Sequence, residues 1–167
     1  MIFVTVGSMF PFDRLIRAMD DWADRAPGTE VVAQIGDGGF TPSHMRWVRR
    51  LDRGAFEDAV TRAEVVVAHA GIGSVLTARL SGRPIVLLPR RRHLGEHTSD
   101  HQIETAMSLR GREGIFVAET EAQLAEVMRA AQTGRPADAL PAGSADPAFI
   151  ARIRDFIDGS APPDDPP

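Results

Sequence analysis

Short apolar runs alternate along this chain with stretches whose apolar residues return every three or four positions. Ile2–Val6 is the first run, and its β-branched content predicts a strand. Asp13–Ala26 follows as a predicted helix, with Leu15, Ile16, Met19 and Trp22 on one face. Val31–Ile35 predicts a second strand and Trp47–Leu51 a short third one, separated by a Gly/Asp loop whose GDGG lies at 36–39. Gly54–Arg62 reads as a helix, and Val65–Ala68 as a strand buried on both faces because it is apolar without interruption. Ile72–Leu80 is a predicted helix closed by Gly82, and Pro84–Leu88 another buried strand. Thr98–Leu109 is helical, Ile115–Val117 a strand, and Thr120–Ala131 a helix capped by Thr120 with Gln123 three residues on.

Strands alternating with helices imply a mostly parallel sheet with right-handed crossovers, a doubly wound, Rossmann-like α/β domain over residues 1–132. Ligands of such sheets lie beyond the carboxyl ends of the strands. The loops of interest are therefore Gly7–Pro11, Gly36–Phe40, His69–Ser74 and Pro89–Asp100. The remainder has another character. Residues 133–146 are rich in Pro, Gly and Ala and read as a linker. Residues 147–158 carry Phe149, Ile150, Ile153 and Ile157 as one apolar stripe of a helix started by Asp146-Pro147. Residues 159–167 read as a disordered tail.

Composition narrows the chemistry. With 167 residues the chain can bury a core, and with no cysteine it has neither disulfides, thiolate zinc ligands nor a cysteine nucleophile. All 19 basic residues are arginine and tyrosine is absent, which excludes a P-loop lysine, a Schiff base and a tyrosine acid. Met1 runs directly into IFVTV, and no apolar run approaches the roughly 20 residues that span a bilayer, so the expectation is a cytoplasmic protein. The net charge is −4, yet no acid lies between Glu64 and Glu96, where Arg79, Arg83, Arg90, Arg91 and Arg92 fall. A local basic region in an acidic chain favours a small anionic ligand over nucleic acid, against the alternative of a solvated arginine face.

VTVGS at 4–8 and AHAGIGS at 68–74 both read as strand-to-glycine-to-helix junctions, whose backbone N–H groups suit phosphate oxygens. Neither is a GxGxxG with an acid about 20 residues on, so a nicotinamide site is weakly supported. In PRRRHLGEHTSDHQ, 89–102, the histidines His93, His97 and His101 are spaced by four. On one helix they would line a face and could hold a metal, but Leu94-Gly95 sets His93 apart. The readings that remain are an exposed polar loop, or Asp100, Gln102 and the histidines bonding sugar hydroxyls.

VTVGSMFPFDRLI, VVAQIGDG, AHAGIGSVLTARLSGRPIVLLPRR and LGEHTSDHQIETA, in this order over residues 1–118, resemble the donor half of a GT-B glycosyltransferase of family 28. The likeness is to the small two-component type, the Alg13-like and PssE-like subunits. The resemblance implies a UDP-linked sugar donor met at the diphosphate by Gly7 and Ser8 and by Gly71, Ile72, Gly73 and Ser74. It implies a loop around Leu51–Arg53 near the uracil, and Gln102 with His101 where sugar hydroxyls are read; Arg90, Arg91, Glu96, His97 and Asp100 are the further candidates for that pocket on their own chemistry. Thr77 stands where the family commonly has a ribose-gripping glutamate, a weaker partner for a hydroxyl.

A complete GT-B enzyme needs two such domains, and this chain carries one. The resemblance supplies the other as a membrane-anchored Alg14-like or PssD-like subunit presenting a polyprenyl-diphosphate-linked saccharide. It places the chain on the inner face of the plasma membrane, with the 147–158 stripe at the interface. Transfer would invert the anomeric carbon without an obligatory metal or other cofactor. The base would come from the partner, with His69 the best internal candidate. Arg90–Arg92 suit a sugar carboxylate, and PssE-like proteins are associated with glucuronosyl transfer; both favour UDP-glucuronate over UDP-N-acetylglucosamine.

Overall fold

A computed structural model of the chain describes residues 1–134. The elements run β1 (Ile2–Thr5), α1 (Asp13–Asp24), β2 (Val31–Gln34), β3 (Arg46–Val48), α2 (Arg53–Arg62), β4 (Val65–Ala68), α3 (Ile72–Leu80), β5 (Ile85–Leu87), α4 (His101–Leu109), β6 (Ile115–Val117) and α5 (Glu121–Thr133). A short 3₁₀ turn, Arg92–Leu94, precedes α4. The six strands form one sheet in the order β3-β2-β1-β4-β5-β6, and every pair is parallel. That is the doubly wound α/β architecture, with its switch point between β1 and β4.

The two-residue period of β1 divides the core. Ile2 and Val4 face one side, where Leu15, Ile16 and Met19 of α1 and Leu124 and Met128 of α5 pack with them. Phe3 faces the other, with Val60, Val66, Val75, Ala78 and Ala106 of the α2, β4, α3 and α4 side. Each fully buried large side chain of these clusters contributes about 1.5–3 kcal/mol relative to exposure. Asp20 is buried among them because its carboxylate accepts the backbone N–H groups of Ser43 and His44, at 3.0 and 2.7 Å. The α5 start is capped as the sequence implies: Gln123 Oε1 accepts the N–H of Thr120 at 3.3 Å and of Glu119 at 2.8 Å.

Two elements depart from expectation by more than two residues at an end. The third strand is Arg46–Val48 rather than Trp47–Leu51, an exposed edge strand whose one neighbour is β2. Leu51, freed from it, turns towards the carboxyl edge. The helix expected over Thr98–Leu109 starts only at His101. Before it, Ser99 bonds locally: its N–H reaches His97 Nδ1 at 3.4 Å and its hydroxyl reaches His101 Nδ1 at 2.7 Å, competition that holds short polar residues out of helices. Thr133 closes α5; beyond Gly134 the expected linker, the Phe149, Ile150, Ile153 and Ile157 stripe and the tail lie outside the described residues.

Candidate donor site

A cavity of about 430 Å³ opens at the carboxyl edge of the sheet. Its walls come from Gly7 to Phe10 after β1, from Leu51 to Arg53 and Phe56, from His69, Gly73, Ser74 and Thr77 around the start of α3, and from Arg90, His97 and Gln102. It lies at the switch point, where β1 and β4 separate the two halves of the winding, and its size suits a small ligand.

The two glycine turns are built differently. After β4 the helix begins at once, with Gly71 as N-cap and Ile72 as its first residue. The N–H groups of Ile72, Gly73 and Ser74 therefore have no acceptor within the helix and carry the positive end of its dipole. After β1 no helix begins until Asp13, with Phe12 as N-cap. The expected helix-start amides at VTVGS are thus absent: Gly7 is left-handed at φ +76°, and its N–H donates to Thr5 Oγ1 at 3.1 Å. Gly7 and Ser8 line the cavity as loop residues.

His69 explains two of the glycines. A Cβ on Gly7 would lie 2.6 Å from His69 Cε1, and one on Gly71 would lie 2.2 Å from Nε2. The imidazole thus lies against two backbone positions that only glycine leaves open. Its Nδ1 is buried without a hydrogen-bond partner. Burial, then the nearby Arg90 guanidinium and His97, hold the His69 pKa down to about 4. Neutral at pH 7, it is a weak base for an acceptor hydroxyl.

The arginines are engaged elsewhere than the sequence implies. Arg90 is 1% exposed. Its Nη2 donates to Val6 O at 2.6 Å and Phe10 O at 2.7 Å, and its Nη1 to Pro11 O and Glu96 O, each at 3.2 Å. Burial pulls its pKa to about 10, which leaves it charged at pH 7. Arg91 Nη2 donates to Glu119 O at 2.7 Å. Neither presents a free two-pronged fork to a sugar carboxylate; Arg92 is exposed.

Glu96 and Asp100 are likewise absent from the cavity wall. Glu96 takes Arg14 through both oxygens, at 2.6 and 2.8 Å, and Asp100 Oδ1 accepts the Arg92 N–H at 2.8 Å. Gly71, Ile72, Arg91 and His101 are also outside the wall, His101 stacking edge-on against His97 at 4.4 Å. Gln102 is on it; its Oε1 accepts the Arg90 N–H at 3.1 Å. Thr77 is on it too, but its hydroxyl donates to Gly73 O at 3.0 Å. Towards a ribose it can therefore only accept. His93 sits in the 3₁₀ turn that ends at left-handed Gly95, so the three spaced histidines share no helix.

Sequence reasoning missed Met9, Phe10, Gln34 and Phe56, all lining the cavity. Gln34 carried a signal, a polar residue closing an apolar strand. Among the described residues no helix is long and apolar enough to cross a membrane.

The model of the glycosyltransferase family 28 C-terminal domain matches residues 1–156. The chain belongs to this family. Among solved structures, this family 28 domain is similar to the glycotransferase of kitacinnamycin, at TM-score 0.59 and 17% identity over 95% of this chain and 38% of that one. It is similar to MurG of Acinetobacter baumannii, at TM-score 0.54 and 16% identity over 76% of this chain and 40% of that one. It is also similar to UDP-glucose: anthocyanidin 3-O-glucosyltransferase in complex with UDP, at TM-score 0.57 and 14% identity, covering 98% and 36%. At these identities the likeness is one of fold. The chain spans about two-fifths of the length of these glycosyltransferases. No curated protein matches the sequence.

Proposed function

We propose that this family 28 domain is the donor-binding subunit of a two-component, inverting glycosyltransferase of the Alg13/PssE-like kind. The observation that carries the reading is the α3 start: its first three N–H groups have no acceptor in the helix, and two of those residues, Gly73 and Ser74, line the switch-point cavity, where a buried arginine adds positive charge. A UDP-linked sugar fits that arrangement, its diphosphate on Ile72–Ser74 and its base towards Leu51–Phe56. Solved relatives of the fold in complex with UDP and with dTDP support the nucleotide class.

In the reaction an acceptor hydroxyl attacks the anomeric carbon as the bond to the diphosphate oxygen breaks. Negative charge gathers on the leaving diphosphate, where fixed N–H dipoles stabilise it. The acceptor's proton goes to a base of the partner, because His69 at about 4 is too weakly basic. The partner is a membrane-anchored, Alg14-like or PssD-like chain carrying a polyprenyl-diphosphate-linked saccharide, as in exopolysaccharide synthesis. It keeps this subunit peripheral on the inner face of the plasma membrane and docks on the 147–158 stripe.

With Arg90 and Arg91 engaged and Arg92 exposed off the cavity wall, the preference for UDP-glucuronate over UDP-N-acetylglucosamine rests on the PssE-like resemblance. A non-catalytic nucleotide-sugar-binding subunit is the rival reading, and a partner already fully active without this chain would favour it. Calorimetry with UDP-glucuronate and UDP-N-acetylglucosamine, followed by transfer assays with and without the product of the neighbouring gene, tests the proposal. The expected result is binding by this chain alone and transfer only by the pair. Absence of heat with every UDP-sugar, partner present, overturns it.

A further inference from the structure

The loop after β1 has no helix start to hold it, yet it walls the cavity. What holds it comes from the far side of the sequence. Arg90 donates to Val6, Phe10 and Pro11 in that loop and to Glu96 in its own, four carbonyls gathered by one planar group. Arg14, from the first βα unit, crosses in the opposite direction: its Nη2 donates to Pro89 O at 2.8 Å and to Glu96 Oε2 at 2.8 Å, and its Nε to Glu96 Oε1 at 2.6 Å. The Val6–Pro11 loop and the helix α1 that follows it are therefore each tied to the Pro89–Glu96 loop, some eighty residues on. Carbonyls 80 residues away are poor company for an arginine meant to read a ligand, and Arg90 packs against Phe12 as well, 4.9 Å from the ring centroid.

We propose that Arg90, backed by the Arg14–Glu96 pair, is a positioning residue that locks the Val6–Pro11 loop against the Pro89–Glu96 loop, so that the diphosphate end of the donor cavity is formed before any ligand arrives. The ligand part rests on the donor-site reading above. The geometry separates this from a general structural role, because the tie reaches only one end of the cavity. The Leu51–Phe56 wall, expected to take the base, has no hydrogen bond to either arginine among those described.

The test compares the wild-type chain with Arg90→Met, Arg90→Lys and Arg14→Gln. UDP and uridine affinities are measured by NMR titration, and amide hydrogen exchange is followed across residues 6–12 and 69–75. In Arg90→Met, UDP should bind at least about tenfold more weakly while uridine is unchanged, since a loop that the ligand must order subtracts from its affinity. Exchange should rise in 6–12 and stay as it was in 69–75. Arg90→Lys, whose compact ammonium cannot gather four carbonyls, should recover part of the UDP affinity, and Arg14→Gln should lie between it and wild type. Equal losses for UDP and uridine, or protection at 6–12 unchanged, overturn the proposal. Should Arg90→Met not fold, Arg90→Lys and Arg14→Gln decide on the same criteria. Wild type binding no UDP would remove the donor reading, while the exchange arm still decides the cross-tie.

Discussion

The turns after β1 and after β4 look like duplicates in the sequence, each a valine-rich strand running into glycine and serine. In the fold they are opposites. The β4 turn is self-sufficient: Gly71 caps α3 directly, and its geometry follows from the helix. The β1 turn runs through left-handed Gly7 and keeps its shape through Arg90, an anchor supplied from beyond β5. They meet at His69, whose ring abuts a glycine of each. Similar glycine spelling thus hides three separate uses: backbone conformation, clearance for a ring, and open space for a ligand.

The sharpest way to break this comparison is to fill the two clearances. Gly71→Ala should destabilise by about 1–3 kcal/mol, the range for overpacking a tight site. Gly7→Ala should cost more, about 2–5 kcal/mol, because a left-handed residue with a Cβ adds about 1–2 kcal/mol of its own. In a His69→Ala background the Gly71→Ala cost should disappear, whereas the conformational part of the Gly7→Ala cost should stay. Urea denaturation of the singles and doubles measures this coupling. Strict additivity would mean that His69 is not what the glycines make room for.

Protonating the shared ring puts a charge in a buried position beside Arg90. The folded His69 pKa lies near 4, below the ordinary 6.5, so the unfolded chain binds the extra proton first. His69 therefore adds stability that is complete above pH 6.5 and is lost as the pH falls from there towards 4. A gap of that size corresponds in full to about 3 kcal/mol. Stability of wild type relative to His69→Asn should fall by that order between pH 7 and pH 4.5, and an NMR titration of the ring should show it. A ring titrating at 6.5 would leave the enclosed, neutral imidazole without support.

Much of this architecture was legible. Val65–Ala68, Ile72–Leu80 and Ile115–Val117 form as expected because an uninterrupted apolar run and a glycine-bounded helical repeat leave few alternatives. The edge strand was displaced because Arg46, Trp47 and Val48 are all exposed and no burial pattern marks its register. By charge alone the acid-free arginine stretch reads as an anion-binding patch. Charge cannot distinguish a guanidinium facing a ligand from one facing carbonyls, and Arg90's acceptors are brought near only by the folded sheet. Glu96 and Asp100 lie off the cavity wall for the same reason: their cationic and amide partners are tertiary neighbours, as with Arg14, or the product of a local turn, as with the Arg92 N–H.

The third glycine of the comparison gives the smallest effect on folding and the most direct reading of the site. Gly73 is the second residue of α3, and a Cβ there would meet nothing within 4 Å. Neither backbone strain nor crowding by the protein explains it, and alanine is the better helix former by up to about 1 kcal/mol. Gly73→Ala should therefore fold as stably as wild type, or slightly more so. Yet the position lines the cavity, and a methyl group beside the unbonded N–H groups would stand where a diphosphate must approach the backbone. UDP affinity should fall about tenfold, a loss of roughly 1.4 kcal/mol, with the melting temperature unchanged or raised. Stability gained with affinity kept would mean that the anion does not sit at the α3 start, and the β4 turn would then be a packing device like Gly71 throughout.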